Sequence, residues 1–405
     1  MPKKILFLGA AAFQIPPIEY ALERGYTVIT CDNRPSNPGH CLAHKYFNVS
    51  TVDKLRVAEV ARSEKIDGIL SFGSDVGAST AAYVAEMLNL PTVPYAVVEL
   101  LAHKRLFREF LNRSNLQCQE YFCVSSESKT PRAHDLERVG FPLVVKPVDA
   151  AGSKGVSILH DRTGLTAAID YALSKSRSGE VIIEAFVRKI GRQVCGDGFM
   201  DGGELAFVQY GDGFFHGDQN YLAPFGESFP ATHPEALLKK LSEKIESTLK
   251  KCGFLRGVFN IDAILTPGGA PFIIELGPRS GGNFIPTAIR LRTNVDLIAA
   301  SVEVALDPTF KLRIPEELGS RYIASYMIHS LKNGVLNEVK FDKGILPHIE
   351  SYTPYLKTGS EVSPFRAGGE AIGNVLLQFD SREEMAGMME NIGEYFEVPL
   401  EESAP

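Results

Sequence analysis

The sequence predicts an α/β unit followed by an α+β unit, on three observations. Its first hundred or so residues alternate short apolar runs with amphipathic stretches, the pattern of a parallel sheet covered by helices. After about residue 112 extended segments dominate, with few helical stretches between them. The chain has 405 residues, which at roughly 150 per domain leaves room for two or three domains.

In the first unit, Ile5-Leu6-Phe7-Leu8 reads as a strand buried on both faces. Gly9 ends it, Pro16 and Pro17 open a helix, and Gly25 closes that helix. Val28-Ile29-Thr30-Cys31 and Gly68-Ile69-Leu70-Ser71-Phe72 are the next strands, with helices from Leu55 to Lys65 and from Ser79 to Leu88. Gly9 after one strand and Asp32 after the next invite comparison with the dinucleotide fingerprint G-x-G-x-x-G. Here its glycine positions hold Gly9, Ala11 and Gln14, and a Cβ at Ala11 would crowd a pyrophosphate. The unit is therefore read as Rossmann-like, with a different ligand or none.

In the second unit, 141–147, 181–187, 194–200, 205–210, 258–265 and 271–276 are extended, and an antiparallel sheet is expected. Helices are expected around 164–175 and over 235–251. In the latter Leu237, Leu238, Leu241, Ile245 and Leu249 form one stripe that Gly253 caps. A third unit has a turn at Ala367-Gly368-Gly369, a strand from Ile372 to Phe379 and a helix from Arg382. The expected domains are 1–112, 113–308 and 309–405.

Composition narrows the function classes. The chain carries 42 Lys+Arg against 49 Asp+Glu, a net charge of −7, so no basic surplus is available for nucleic acid. No apolar run approaches the ~18 residues of a membrane span. The six cysteines form no CxxC pair, so neither a zinc site nor a disulfide framework is indicated. The N-terminal MPKKILFLGA lacks a long apolar leader. A cytoplasmic enzyme is expected, without a nucleic-acid or membrane partner.

Three stretches could carry chemistry. Lys146 ends an apolar strand, and the small-residue loop 149–155 follows, with Gly152, Ser153, Lys154 and Gly155. Such a loop lets backbone N–H groups close on phosphate oxygens, and it also reads as an ordinary hairpin turn. Asp262 and Glu275 each interrupt an apolar strand, and Pro267 to Gly269 turn one strand into the other. Two carboxylates on one hairpin could converge on a magnesium ion, or could face solvent. Arg279-Ser280-Gly281-Gly282-Asn283 then places a guanidinium and a Gly-rich connection beside them.

In order and spacing these stretches resemble the ATP-grasp superfamily, in the group of biotin carboxylase and phosphoribosylglycinamide synthetase. The resemblance rests on His103-Lys104, on VVKP ending at Pro147, on IIEAFV ending at Val187, and on FNIDAIL and FIIELGPRSGG around Asp262 and Glu275. It implies a Rossmann-like first domain, an ATP-grasp domain and a barrel-like third domain like that of biotin carboxylase. It also implies ATP and Mg²⁺ as cofactors. Lys104, Lys146 and the loop Gly152 to Gly155 would hold phosphates, and Glu184, Ala185, Phe186 and Val187 would read adenine. Asp262 and Glu275 would bind magnesium, and Arg279 with Lys154 would serve catalysis. The family often has a further Asn ligand two residues past the second carboxylate, where this chain has Gly277; Asn283 is the candidate replacement. Gln193 stands where a ribose-binding glutamate is often found.

The implied reaction joins a small carboxylate, of the amino-acid or sugar-acid class, to an amine or a thiol, the amine being favoured, through an acyl phosphate. The carboxylate is expected among the Gly9 loop, Gly73-Ser74-Asp75 and Arg279 to Asn283, and a helix N-cap is the competing reading of Asp75. Alternatives are a carboxylase working through carboxyphosphate, a purine-pathway ligase, and a non-catalytic ATP-binding protein. The resemblance is compatible with a homodimer. Cys195 is expected to pack rather than react.

Overall fold

The computed structural model of the chain describes residues 2–217 and 222–401. Its first layer is a parallel sheet in the order β3-β2-β1-β4, made of β1 (Lys4–Leu8), β2 (Thr27–Cys31), β3 (Lys45–Phe47) and β4 (Gly68–Leu70). The unbroken apolar run of β1 has a packing cause. Ile5 and Phe7 pack with Ile18 and Ala21 of α1 (Ile15–Glu23) and with Val302 of α10 (Leu297–Val304). Leu6 and Leu8 pack with residues of α2 (Lys54–Glu64) and α3 (Asp75–Met87). The turn after β1 is filled by Gln14, which donates to Phe72 O at 2.8 Å and Leu8 O at 3.3 Å. The third position of the imperfect fingerprint is thus spent on an internal bridge.

α3 starts four residues earlier than its apolar pattern suggests. Ser74 is its cap, accepting from Gly77 N at 3.4 Å, so Asp75 is the first helical residue and not the N-cap. Helices α4 (Tyr95–Ala102) and α5 (Lys104–Arg113) lead out of this unit, joined through His103 in extended conformation.

Two antiparallel sheets follow. The smaller, in the order β5-β8-β6-β7, comprises β5 (Tyr121–Ser125), β6 (Leu143–Pro147), β7 (Ser157–Leu159) and β8 (Glu180–Ala185). α6 (Ala133–Val139) and α7 (Leu165–Lys175) pack against it. The larger runs β13-β12-β9-β10-β11-β14-β19-β17. Its strands are β9 (Ile190–Asp201), β10 (Glu204–Phe215), β11 (Pro224–Phe229), β12 (Gly257–Leu265), β13 (Pro271–Gly277), β14 (Tyr322–Ile328), β17 (Ile349–Pro354) and β19 (Gly373–Phe379). One sheet therefore includes strands from both sides of residue 308. Short strands complete the C-terminal part: β15 (Gly334–Leu336), β18 (Glu361–Val362) and β21 (Leu400–Glu401) in one sheet, β16 (Lys340–Phe341) and β20 (Phe396–Glu397) in another.

α8 (Glu235–Cys252) lays its stripe on one face of the large sheet, where Leu241, Ile245 and Leu249 meet Val194, Met200, Phe259 and Ile261. Gly253 ends it in the left-handed conformation, φ 90°. α9 (Ile285–Thr293) packs Ala288 and Ile289 on Phe199 and Val258, while α11 (Arg382–Glu390) covers β14 and β19 with Met385 and Met389. Leu241 is fully buried. Leu241→Ala is expected to lower the unfolding free energy by about 2–5 kcal/mol, read as an earlier urea midpoint at unchanged slope.

Candidate active site

Between the two antiparallel sheets lies a cavity of about 420 Å³. The small sheet and its connections contribute Val144, Lys146, Ile158, Ala185, Phe186 and Val187, and the large sheet contributes Gln193, Glu227, Asp262, Ile264, Phe272 and Glu275. One end is apolar, where Val144, Ile158 and Phe186 are joined by Ile264, Phe272 and Ile274. Charged groups gather elsewhere along the wall, and each has an identifiable support.

A buried ion cluster ties the two sheets together. Arg108 on α5 donates from Nε to Glu184 Oε2 at 3.0 Å and from Nη2 to the β13 carbonyl of Ile274 at 2.7 Å. Lys146 on β6 pairs with the other oxygen, Glu184 Oε1. Arg108 and Glu184 are 1% and 2% exposed, so neither charge could stand alone there. Burial pushes the Glu184 carboxyl up, but Arg108 and Lys146 outweigh it and hold it at about 2. Burial pulls the Lys146 ammonium down, with Glu184 opposing. The Glu184 side chain is thus committed to two cations, and Ala185, Phe186 and Val187 are what this segment offers the cavity beside it.

Asp262 and Glu275 face each other directly across the β12–β13 ladder, with a register shift immediately after Asp262. Gln193 on β9 donates from Nε2 to Asp262 Oδ1 at 2.8 Å. Burial and the Glu275 charge push the Asp262 carboxyl up to about 7, against Gln193 and Arg279. Lys104 Nζ lies 3.1 Å from Glu275 Oε2 and donates to Ala150 O at 2.8 Å. A raised Asp262 carboxyl opposite Glu275 offers oxygen ligands that fit a hard divalent cation. Among the described residues no group of three or more His, Cys, Asp or Glu is placed to hold a metal. Remaining ligands would then come from water and substrate oxygens, the usual habit of magnesium.

Arg279 is fixed by the first unit. Its Nη2 donates to Asp75 Oδ2 at 2.6 Å and its Nη1 to Ser280 O at 2.9 Å. This pair accounts for Gly277: a Cβ there would come within 3.0 Å of Asp75 Oδ1 and 3.1 Å of Arg279 Cζ. A side chain at 277 would require this ion pair to give by a few tenths of an ångström. Asn283 donates from Nδ2 to Glu227 Oε1 at 3.1 Å and lines the cavity beside it. The connection from Arg279 to Asn283 is held by Asp197, which is fully buried and accepts the Gly281 N–H at 2.8 Å and Asn260 Nδ2 at 2.8 Å. Gly281 must be glycine because a Cβ would sit 2.9 Å from Asp197 Oδ1 and from Asn260 Nδ2.

The sequence-derived residues divide by position. Lys104, Lys146, Gly152, Ser153, Lys154, Glu184, Ala185, Phe186, Val187, Gln193, Asp262, Glu275, Gly73, Asp75, Arg279, Gly282 and Asn283 all line the cavity. Gly155 does not; it is buried against Pro147 and Lys175. Ser74 caps α3, Ser280 lines a separate apolar crevice, and Gly281 is spent on Asp197. The 149–155 loop is anchored at its start by Asp149, which accepts from Arg177 N at 3.1 Å and Ser178 N at 2.7 Å. Ser153 Oγ donates to Leu222 O at 3.0 Å across the cavity. Cys195 also lines the wall, but burial and the surrounding carboxylates push its thiol well above the ordinary range, so it stays protonated.

Arg108 and Glu227 were missed by sequence reasoning. Arg108 sits in a charged helix, where an arginine ordinarily reads as a solvated face. Glu227 lies between Phe225 and Phe229 on β11, a carboxylate inside an apolar strand like Asp262 and Glu275. That pattern would have found it had Gly226 and Ser228 not broken the run. Glu227 is 2% exposed, and its Oε2 has no hydrogen-bond partner. Burial pushes its carboxyl up to about 8, with Asp262 and Asp197 adding and Asn283 opposing.

These environments give two expectations. Arg108→Leu leaves Glu184 with one cation, and breaking such a buried pair should cost about 3–5 kcal/mol in urea denaturation. Arg108→Lys should recover only part of it, since one ammonium cannot replace the guanidinium fork on both Glu184 and Ile274 O. Glu227 ionises near 4.5 ordinarily and at about 8 in the fold, so the folded protein holds an extra proton between those values. Stability should fall as pH rises through that window. Without nucleotide or metal, the melting-temperature advantage of Glu227→Gln over the wild type should widen from about pH 5 to about pH 8 and then level off.

Comparison with known proteins bears on this cavity. Residues 110–283 match the family described as D-ala D-ala ligase C-terminus. The formate-dependent phosphoribosylglycinamide formyltransferase of Janthinobacterium sp. (strain Marseille) is 29% identical over 191 residues, 45% of this chain and 46% of that protein. The chain spans about half the length of the curated formyltransferases it first matches. The carbamoyl phosphate synthase large chain of Clostridium acetobutylicum is 23% identical over 388 residues, 89% of this chain and 34% of that protein. In fold, the chain is similar to the L-amino acid ligase of Bacillus licheniformis at TM-score 0.81 and 18% identity, covering 98% of this chain and 99% of that one. It is similar to the phosphoribosylglycinamide synthetase of Anaerococcus prevotii at TM-score 0.75 and 19% identity, covering 99% and 100%. The segment 110–283 thus matches the D-ala D-ala ligase C-terminal (ATP-grasp) family, and along nearly its whole length the chain shares the fold of these solved structures.

Proposed function

We propose that the protein is an ATP-dependent, ADP-forming ligase that joins a small carboxylate to an amine. The observation that carries this reading is the opposed pair Asp262 and Glu275, in one cavity with Lys104, Lys146 and Arg279. The names of the similar proteins, a formyltransferase, an L-amino acid ligase and a phosphoribosylglycinamide synthetase, agree with acyl or amide chemistry on small molecules.

In this reading the apolar end takes the adenine, against Val144, Phe186 and Ile264. Lys104, Lys146 and the Gly152-Ser153-Lys154 turn take the phosphates. Asp262 and Glu275 would hold magnesium, which when bound supplies positive charge to the phosphate oxygens. Gln193, bonded to Asp262, would orient that ligand rather than read a ribose. The carboxylate substrate sits between Arg279 and the Gly73–Asp75 turn, and Glu227 offers its free oxygen to a donor on it. A substrate carboxylate oxygen attacks the γ-phosphorus of ATP, giving an acyl phosphate and ADP. The neutral amine nitrogen then attacks the acyl carbon, the C–N bond forms, and phosphate leaves with its C–O bond electrons and takes up the proton that the nitrogen loses. The chain's work is positioning and charge neutralisation, for which Arg279 is pre-set by Asp75. No covalent nucleophile is required. Among the described residues no helix is long and apolar enough to cross a membrane.

The test is ADP and phosphate release against a panel of carboxylic acids and amines, with products identified by mass spectrometry. Release that needs both a carboxylate and an amine supports ligation. Dependence on bicarbonate would replace it with carboxylation, and nucleotide binding without turnover would replace it with a binding protein. Glu275→Gln should fold normally and lose at least about 100-fold in kcat, a loss typical of removing one preorganised electrostatic contact. Near wild-type turnover would remove Glu275 from the metal site.

A further inference from the structure

The two lysines of the cavity are held by carboxylates of different standing. Lys146 pairs with Glu184, which is 2% exposed and shared with Arg108, so that cation belongs to the cluster between the sheets. Lys104 pairs instead with Glu275, one of the two carboxylates suited to a divalent cation. Its Nζ lies 3.1 Å from Glu275 Oε2 and donates to Ala150 O at 2.8 Å. Both side chains line the cavity and keep some exposure, 14% for Lys104 and 24% for Glu275. A lysine suited to phosphate and a glutamate suited to metal are thus in contact with each other.

Lys104 is fixed at its main chain and free to turn at its tip. It opens α5, and its N–H donates to Val148 O at 2.9 Å. The ammonium rides on a long flexible stem and has three donors, of which Glu275 and Ala150 take two.

Two cations at Glu275 oppose one another. A hard divalent ion binds a carboxylate oxygen at roughly 2.1 Å, so on Oε2 it would stand at most about 5 Å from Lys104 Nζ. On the other oxygen it would still meet the ammonium's repulsion and a carboxylate already partly neutralised. A polyphosphate in the same cavity offers the ammonium another anionic partner, so the tip of Lys104 can leave Glu275 without becoming an unpaired charge.

We infer that Lys104 competes with the divalent cation for Glu275, so that the metal site is completed only when phosphate oxygens take the ammonium. The inference rests on the ligase reading, which puts the cation at Asp262 and Glu275, and adds a rule of entry. A bare divalent cation is held weakly, and one that accompanies a nucleotide is held tightly. When the phosphates depart, Lys104 returns to Glu275 and loosens the metal. Nucleotide and metal binding are therefore coupled through one side chain, and the coupling is reciprocal.

The experiment measures Mn²⁺ binding by the paramagnetic resonance of the free ion, with and without saturating ADP, in the wild type, Lys104→Gln, Lys104→Arg and Glu275→Gln. Lys104→Gln removes the charge and keeps a donor for Ala150 O, whereas Lys104→Arg keeps the charge. Without ADP, Lys104→Gln should bind Mn²⁺ at least about tenfold more tightly than the wild type, the scale of removing a like charge a few ångströms away. Lys104→Arg should stay within about threefold of the wild type on the same grounds. ADP should raise the Mn²⁺ affinity of the wild type by a factor roughly tenfold larger than for Lys104→Gln, which has no ammonium to draw off. Equal Mn²⁺ affinity in the wild type and folded Lys104→Gln without ADP, or tighter binding in Lys104→Arg as well, overturns the inference. If Lys104→Gln does not fold, Lys104→Met takes the same test. Glu275→Gln should lose the Mn²⁺ bound beside ADP; wild-type Mn²⁺ binding in that variant removes the metal from Glu275 and overturns the inference with it. Failure of the ligase reading is seen separately, as the absence of any carboxylate–amine pair that drives ADP release.

Discussion

Arg108 is the residue on which the cavity depends. It projects from the helix between the first unit and the two antiparallel sheets, and its guanidinium reaches both: Glu184 on the small sheet and the Ile274 carbonyl on the large one. A buried charge is tolerated only when hydrogen-bonded and paired, so the three groups demand one another. Lys146 completes the set on the remaining carboxylate oxygen. Such a cluster adds little net stability compared with a well-packed apolar alternative. What it supplies here is a fixed spacing between two sheets whose gap must admit a ligand. An apolar contact in that place would close the gap.

The second constraint runs through Asp75 and Arg279. The parallel sheet ends in turns that approach the large sheet, and the ion pair joins the first turn of α3 to the segment after β13. Gly277 goes with that contact, since a side chain there would crowd the pair. Asp197 then fixes the chain beyond Arg279 through the Gly281 N–H, and Asn283 turns back to Glu227. A run of five residues is thereby held at its beginning, middle and end by carboxylates from three different elements.

Much of the fold was legible because the patterns that encode it are local. The both-face burial of β1 shows as an apolar run, and the α8 stripe shows as a helical period with a glycine stop. The Asp262–Glu275 hairpin was legible because each carboxylate interrupts an apolar strand across a short turn. Strands β11 and β14 were not: β11 is broken by Gly226 and Ser228, and β14 pairs with strands distant in sequence, β11 and β19. The start of α3 was placed at Ser79, whereas Ser74 caps it by accepting from Gly77 N, and Asp75, read as a possible cap, pairs instead with Arg279, 204 residues away. Arg108 was invisible because its partners lie 76 and 166 residues along the chain. Gly155, Ser280 and Gly281 were taken as ligand contacts because small residues in loops suggest an approach to substrate, whereas here the two glycines permit the chain to pack on itself and Ser280 lines another crevice.

The distribution of charge gives the cavity its direction. Lys146 and Glu184 of the small sheet and Arg108 of α5 neutralise one another, and Val144 and Phe186 give that wall apolar surface. The large sheet is different. Asp197, Glu227 and Asp262 are all held above the usual carboxylate range, chiefly by burial. Within the fold their compensation comes mainly from amides and from Arg279, which is itself engaged by Asp75. A wall that keeps carboxylates in this state is one whose missing positive charge arrives with the ligand. A nucleotide alone would add further negative charge and could not supply it. In the proposed reading that charge is a divalent cation at Asp262 and Glu275 accompanying the nucleotide, and a donor-bearing substrate engages Glu227. Charge complementarity then makes binding of these partners mutually dependent, because each supplies the compensation that the others' neighbours lack.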